Sequence, residues 1–445
     1  MSSSSPRTRL AALGAFVVLG TATVPPAIAA PSVVNSFVPI ASHAVEGEVA
    51  EIITSTVDGR TLIYTDSETG AIGFVDIATP ASPQAAGTLD VGGSPTAAVA
   101  TPDGAYVLVV VDTSDGDFID PTGHLLVVRL ADRDIVRTID MGGQPDSIAV
   151  SADGRFAAVA IENQRDEDIV DGGIEGPMPQ APAGYLRIVD LVGAPAAWET
   201  RDVGFVGLPG LRFPSDPEPE FVDINEQNVA AVTLQENNAV ALVDLASGTV
   251  ITSWSAGIAT HAAELKNDGT VSFTDMLTAR REPDAIGWTP GGLLWTANEG
   301  DYPNESPSLR AGSRDFTVFA PDGTIVYEPG AAFELAIAAV GKYPDGRSGA
   351  KGAEPEGLEI GRFGPRVFTF VAAERANVVV VYRIDGHETA PKLVQVLPTG
   401  SRPEGLLAIS SRNLFVSANE NDGTISIFAG RQAAAPASGA YDFGG

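Results

Sequence analysis

The sequence predicts an all-β protein: a seven-bladed β-propeller with four-stranded blades, its ring closed by an N-terminal strand. Three observations predict it. An acid-plus-apolar element recurs seven times along the chain. In most copies three further short apolar or alternating runs follow, so a unit holds four strands. The seventh unit stops after three runs, at Phe428, while a spare run, "NSFVPI" (Asn35 to Ile40), precedes the first unit. Repeated sheet units of this kind are the mark of a propeller. Completing the last blade with the spare run would cover an edge that otherwise stays unpaired.

Taken in order, residues 1–30 read as a secretory signal. They carry Arg7 and Arg9, an apolar stretch from Leu10 to Val24, and Ala27-Ile28-Ala29 before a cleavage position near Ala29 or Ala30. Residues 31–430 are expected to form the propeller and residues 431–445 a flexible polar tail. The repeat begins at Glu51 in "EVAEIITSTVDG" and continues at Thr96 in "GSPTAAVATPDG", Asp146 in "GQPDSIAVSADG" and Glu220 in "PEPEFVDINEQN". It returns at Asp284 in "REPDAIGW", Glu356 in "AEPEGLEIGRFG" and Glu404 in "SRPEGLLAISSR". Fifteen to eighteen residues on, past a turn and a second apolar run, stand Asp66, Asp112, Glu162, Glu236, Glu299, Glu374 and Glu420. Third runs such as "HLLVVRL" and "VVVVYRI", and fourth runs such as "IVRTIDM" and "KLVQVLP", fill out the units. The marker prolines Pro95, Pro145, Pro219, Pro283, Pro355 and Pro403 are unevenly spaced, which suits blades with long loops better than a stacked coil. The surplus length falls in 163–184, 258–279, 302–312 and 329–353. "HAAELKNDGTVSFTDM" reads either as a blade boundary or as an extra hairpin.

Composition removes several functions. The chain has no cysteine, so disulfides, thiolate metal sites and cysteine nucleophiles are excluded. A formal charge of −30 repels nucleic acid and anionic lipid. No apolar stretch beyond the signal approaches the ~20 residues of a membrane span. His43, His124, His261 and His387 stand alone, without the spacing of a zinc or copper site. No G-x-S-x-G elbow, S-x-x-K or P-loop is present. "DTSDGDFIDPTG" and "ENQRDEDIVDGG" read as charged loops before they read as metal clamps, and Asn304-Glu305-Ser306 matches a glycosylation acceptor.

The acids carry what chemistry there is. The first strand of a blade lines the channel and the second returns antiparallel, so the start of one lies beside the end of the other. The two sets then gather up to thirteen carboxylates around one opening. So many like charges call for bound cations, for neighbouring arginines (Arg281, Arg314, Arg375, Arg402) or for protonation. Hard oxygen ligands favour Ca²⁺ or another hard divalent cation. Asp146, Glu162, Glu220, Glu236, Glu356, Glu374, Glu404 and Glu420 are the expected metal-facing positions. The plain structural alternative is that rim acids accept hydrogen bonds from backbone N–H groups.

Motifs in the second half are similar to those of a known family. "REPDAIGW", "LLWTANEGDY", "SRDFTVFAPDG", "GAEPEGLEIG" and "AAERANVVVVYRI" together resemble the choice-of-anchor I proteins, exported bacterial β-propellers. Some of these are carried beside metallophosphatase or nucleotidase modules, and some are described loosely as alkaline phosphatases. The resemblance is strongest over residues 261–425; the first three blades look more like generic YVTN-type repeats. It singles out Asp284, Asn298, Glu299, Asp301, Arg314, Glu354 and Arg375 as ligand-facing, together with Glu356 and Glu374. The expectation is a secreted, monomeric propeller that binds a ligand at an acidic channel mouth, through a divalent metal. The partner would be a small molecule, a glycan or a protein. Two alternatives stay open: a metal-dependent phosphoesterase or lactonase, and a non-catalytic adhesion or scaffold propeller.

Overall fold

One hairpin chemistry repeats in the first three blades. The hydroxyls of Thr56, Thr101 and Ser151 donate to the carboxylates of Asp58, Asp103 and Asp153 at 2.7, 2.6 and 2.8 Å. Gly59, Gly104 and Gly154 follow with φ of 66°, 72° and 69°, a region that a Cβ disfavours. Each turn sends the chain back antiparallel to the strand it has just left.

The computed structural model describes Met1 and residues 33–166, 169–171, 174–175, 179–300, 308–384 and 390–432. Residues 2–30 of the expected signal, residues 433–445 of the expected tail, Asp301, the acceptor Asn304-Glu305-Ser306 and His387 lie outside the described residues. Within the unit that starts at Val33, seven four-stranded antiparallel sheets form the blades of a propeller. Their inner strands are Ile53–Ser55, Ser94–Ala100, Pro145–Val150, Val222–Ile224, Pro283–Trp288, Pro355–Phe363 and Pro403–Ile409. Each inner strand touches the next and the seventh returns to the first, which closes a ring around a channel. Strand Val34–Ala44 pairs antiparallel with Thr424–Gln432 as the outer strand of blade 7, so the spare N-terminal run does complete the last blade.

The apolar side chains do not form one core. They form seven main clusters, one between each pair of neighbouring blades. Side chains alternate across a strand, so a middle strand must be apolar on both faces to serve two clusters. In blade 4, Ala230, Val232 and Leu234 face blade 3 while Ala231 faces blade 5. That is why the second and third runs are continuously apolar and the outer runs are not.

Three surplus segments have defined structure. "HAAELKNDGTVSFTDM" belongs to an extra hairpin, Ile258–Ala263 with Asp275–Arg280, outside the four-stranded sheets. Insertion 163–184 contains a small hairpin, Val170–Asp171 with Ile174–Glu175. The 329–353 link departs from the all-strand reading: Ala332–Ala339 is an α-helix, built from residues of high helix propensity, and it lowers Phe333 and Ile337 into the cluster between blades 5 and 6. Among the described residues no helix is long and apolar enough to cross a membrane.

Candidate functional site

A repeated bulge aims the acids. In blades 2, 3, 5, 6 and 7 the register between inner and second strand slips directly after the marker proline. The first residues in the five slips are Thr96, Asp146, Asp284, Glu356 and Glu404. A bulge removes a residue from the ladder and re-aims its side chain. All five line the channel, joined by Glu220 of blade 4. The residue before the proline is held in the left-handed region at Glu282, Glu354 and Arg402, with φ of 50°, 54° and 57°. Asparagines of the preceding blade secure two of these positions. The N–H of Glu282 donates to Asn238 at 3.0 Å and that of Arg402 to Asn377 at 2.9 Å.

The same tier stitches neighbouring blades together. The Ser147 hydroxyl donates to the Glu220 carbonyl at 2.7 Å, that of Thr96 to the Pro145 carbonyl at 3.0 Å, and that of Thr233 to the Asp284 carbonyl at 2.7 Å. Gly405 N–H donates to the Glu51 carbonyl at 3.0 Å, and a Cβ on Gly405 would lie 2.2 Å from that oxygen. The Pro-Glu-Gly pattern of blades 6 and 7 therefore places an acid on the channel and lets the next blade approach closely.

The channel holds a cavity of about 660 Å³ lined by all seven inner strands. Among the described residues its wall carries the carboxyls of Asp146, Glu220, Asp223, Glu226, Asp284, Glu356, Glu359 and Glu404, and no lysine, arginine or histidine. Burial raises Asp146, Glu220, Asp284, Glu356 and Glu404, and mutual repulsion adds to it. Asp146 is pushed up to about 7, first by burial and then by Glu236 and Asp112. Glu220, Asp284, Glu356 and Glu404 stand well above the usual carboxylate range for the same two reasons. Three residues further along the inner strands, burial lifts Asp223 to about 6 and Glu359 to about 8. Both accept a backbone N–H of the next blade, from Trp288 at 2.7 Å and Ala408 at 3.0 Å.

The second set of acids behaves differently. Asp66 accepts the N–H groups of Glu48 and Thr69, and Asp112 that of Ser114, so both serve backbone. In blades 6 and 7, Arg347, Glu354, Arg375, Glu374, Arg402 and Glu420 form an alternating ladder of ion pairs. Glu374 shares hydrogen bonds with Glu354 and Glu356; burial lifts it to about 7 against the pull of Arg375. Glu299 accepts the Lys351 ammonium at 2.8 Å and the Gln235 amide at 2.9 Å. Carboxylate oxygens of Asp284, Glu299 and Glu356 lie within 4.8 Å of one another.

The residues singled out by sequence therefore separate. Asp146, Glu220, Asp284, Glu356 and Glu404 converge on the channel wall. Glu162 and Glu236 are charge neighbours of Glu220, and Glu299 and Glu374 of Glu356. Asn298 is fully buried, accepting from Thr296 and donating to Asp315 and Thr317. Arg314 is 1 % exposed and donates to the carbonyls of Glu264, Ser348 and Ala350. Glu354 is fully buried between Arg347 and Arg375. Sequence reasoning did not single out Lys351, Gln235, Asp223 or Glu359. The last two carried a signal: each follows its marker acid by three residues, in "PEFVD" and "PEGLE".

The family model described as choice-of-anchor I domain matches residues 51–306 and 306–387. No curated protein matches the chain significantly. Two solved structures share its architecture. Hydrazine synthase from Kuenenia stuttgartiensis is similar at 17 % identity with a TM-score of 0.56, over 88 % of this chain and 98 % of that one. The β-propeller domain of Myceliophteria thermophila Cps50 (Swd1) is similar at 11 % identity with a TM-score of 0.54, over 87 % of this chain and 99 % of that one. At such identities the likeness is one of fold.

Proposed function

The chain belongs to the choice-of-anchor I family, and from that premise we propose that it is an exported propeller binding a hard divalent cation, such as Ca²⁺, at the acidic mouth of its channel. One observation carries the reading: oxygens of Asp284, Glu299 and Glu356 gather within 4.8 Å. Ligands about 2.3–2.6 Å from a Ca²⁺ ion span no more than about 5 Å across it, so the three oxygens fit around one ion. Asp284 and Glu356 line the channel cavity with Glu220, Asp146 and Glu404, and no basic side chain lines its wall among the described residues. A dication offsets the repulsion that holds these carboxyls partly protonated. The ion would in turn present open coordination positions to an anionic or hydroxyl-bearing ligand entering the channel.

The test is thermal unfolding of the full chain after chelation, then with Ca²⁺, Mg²⁺ or Mn²⁺. An ion that binds only the folded state stabilises it by about 2.7 kcal/mol at a hundredfold excess over Kd. A melting shift for one ion, absent in a Glu299→Gln/Glu356→Gln double variant, is the expected result. No shift with any of the three ions would sink the reading.

A further inference from the structure

We infer that Lys351 is a built-in plug of the channel mouth, an intramolecular ammonium that an incoming cation must displace. The inference rests on the cation-binding reading above. Lys351 Nζ stands 2.8 Å from Glu299 Oε1, while the other oxygen of Glu299 accepts from Gln235 at 2.9 Å. Glu299 is one of the three acids that converge within 4.8 Å, so the ammonium stands at the edge of that cluster. A divalent ion held by that cluster and the ammonium would both draw on the Glu299 carboxylate, and the two positive charges repel.

The fold fixes where this lysine starts from. The segment carrying it is held on both sides. Gly349 N–H donates to Asn267 at 2.6 Å, the Arg314 guanidinium donates to the Ser348 carbonyl at 3.0 Å, and Ala353 N–H donates to Glu334 at 2.9 Å. Below it lies Gly300, the residue after Glu299, where a Cβ would come within 2.0 Å of the Lys351 carbonyl oxygen. The Lys351 main chain thus rests on the strand end that carries its partner. Its side chain keeps 25 % of its surface in solvent, and its four-carbon stem can swing outward. Arg375 and Arg402 each bridge two acids of the ladder.

The experiment is calorimetric titration of Ca²⁺ into chelator-treated full-length protein, for the wild type, Lys351→Met, Lys351→Arg and Gly300→Ala. The methionine keeps the stem and removes the charge; the alanine forces the Lys351 main chain away from Glu299 by an independent route. Lys351→Met and Gly300→Ala should bind at least tenfold more tightly than wild type, and Lys351→Arg like wild type. In parallel, acetylation of Lys351 by acetic anhydride, read by mass spectrometry against Lys266, Lys342 and Lys392, should rise when Ca²⁺ is added to the wild type. Equal affinity of wild type and Lys351→Met with unchanged acetylation overturns the plug and leaves the cation site standing. Binding by neither protein overturns both.

Discussion

Glu354 shows how little its position in sequence says about its role. It precedes a proline, holds φ of 54°, is fully buried, and is clasped by Arg347 and Arg375. Removing one partner of a buried pair costs about 3–5 kcal/mol. Glu354→Ala should fall near the lower end, about 3 kcal/mol by urea unfolding, because the arginines keep 29 % and 27 % of their side-chain surface in solvent. A loss below about 1 kcal/mol would mean that the ladder contributes little. Asn298→Ala is a second case. It would strip Asp315 and Thr317 of a donor inside blade 5, and leaving buried partners unsatisfied costs about 1–3 kcal/mol. Because Asn298 stands off the channel wall, Ca²⁺ affinity measured on the folded variant should be unchanged. At this scale the sequence was half legible. Acids one residue after a proline were readable as channel-facing because the bulge recurs. Asn298 and Arg314 were not separable from them, since a strand end has two sides and spacing does not say which side is used. Lys351 was invisible for another reason: it lies far from Glu299 along the chain and arrives through a loop with no repeat.

Among the elements, the closing strand has the largest consequence. Val34–Ala44 pairs along Thr424–Gln432 and inserts Phe37 edge-on among Phe363, Phe368 and Phe370, at ring-centroid distances of 5.0, 5.3 and 5.1 Å. Large-to-small changes of buried phenylalanine cost about 3–5 kcal/mol, so Phe37→Ala should lower the urea midpoint by that equivalent without changing the slope. Deleting residues 33–44 should do worse, because it leaves strand Thr424–Gln432 as an unpaired edge, a template for aggregation. A soluble deletion variant with wild-type melting would show that the ring does not need this strand. The closure was legible beforehand, from a unit one strand short and a strand to spare. The helix Ala332–Ala339 was not. It falls between two blades, where the repeat gives no register, and a short Ala-rich run has no clear period.

The whole molecule gathers its acids into an environment that disfavours their charge, and its response to pH follows from that. Burial raises Asp223 to about 6 and, with repulsion behind it, raises Glu51, Asp146 and Glu374 to about 7 and Glu359 to about 8. In the unfolded chain the same groups release their protons near pH 4. Between about pH 4.5 and 8 the folded state therefore binds more protons than the unfolded state, and the slope of unfolding free energy with pH is negative. This contribution is present at mildly acidic pH and lost as the pH rises through the folded-state values. Acids in exposed turns act oppositely: Asp58, Asp103 and Asp153, held low first by side-chain hydrogen bonds, contribute stability that disappears only as the pH falls toward and below 4. The net charge of −30 adds to the alkaline side of the argument. In chelator, the melting temperature should peak near pH 5 and decline toward pH 8. Because protons and a dication compete for the same oxygens, Ca²⁺ should raise the melting temperature more at pH 8 than at pH 5.5 and flatten the decline. A melting temperature that climbs steadily from pH 5.5 to 8 without metal would show that the channel carboxyls are ionised and solvated, and that the enclosure of the channel does not govern their chemistry.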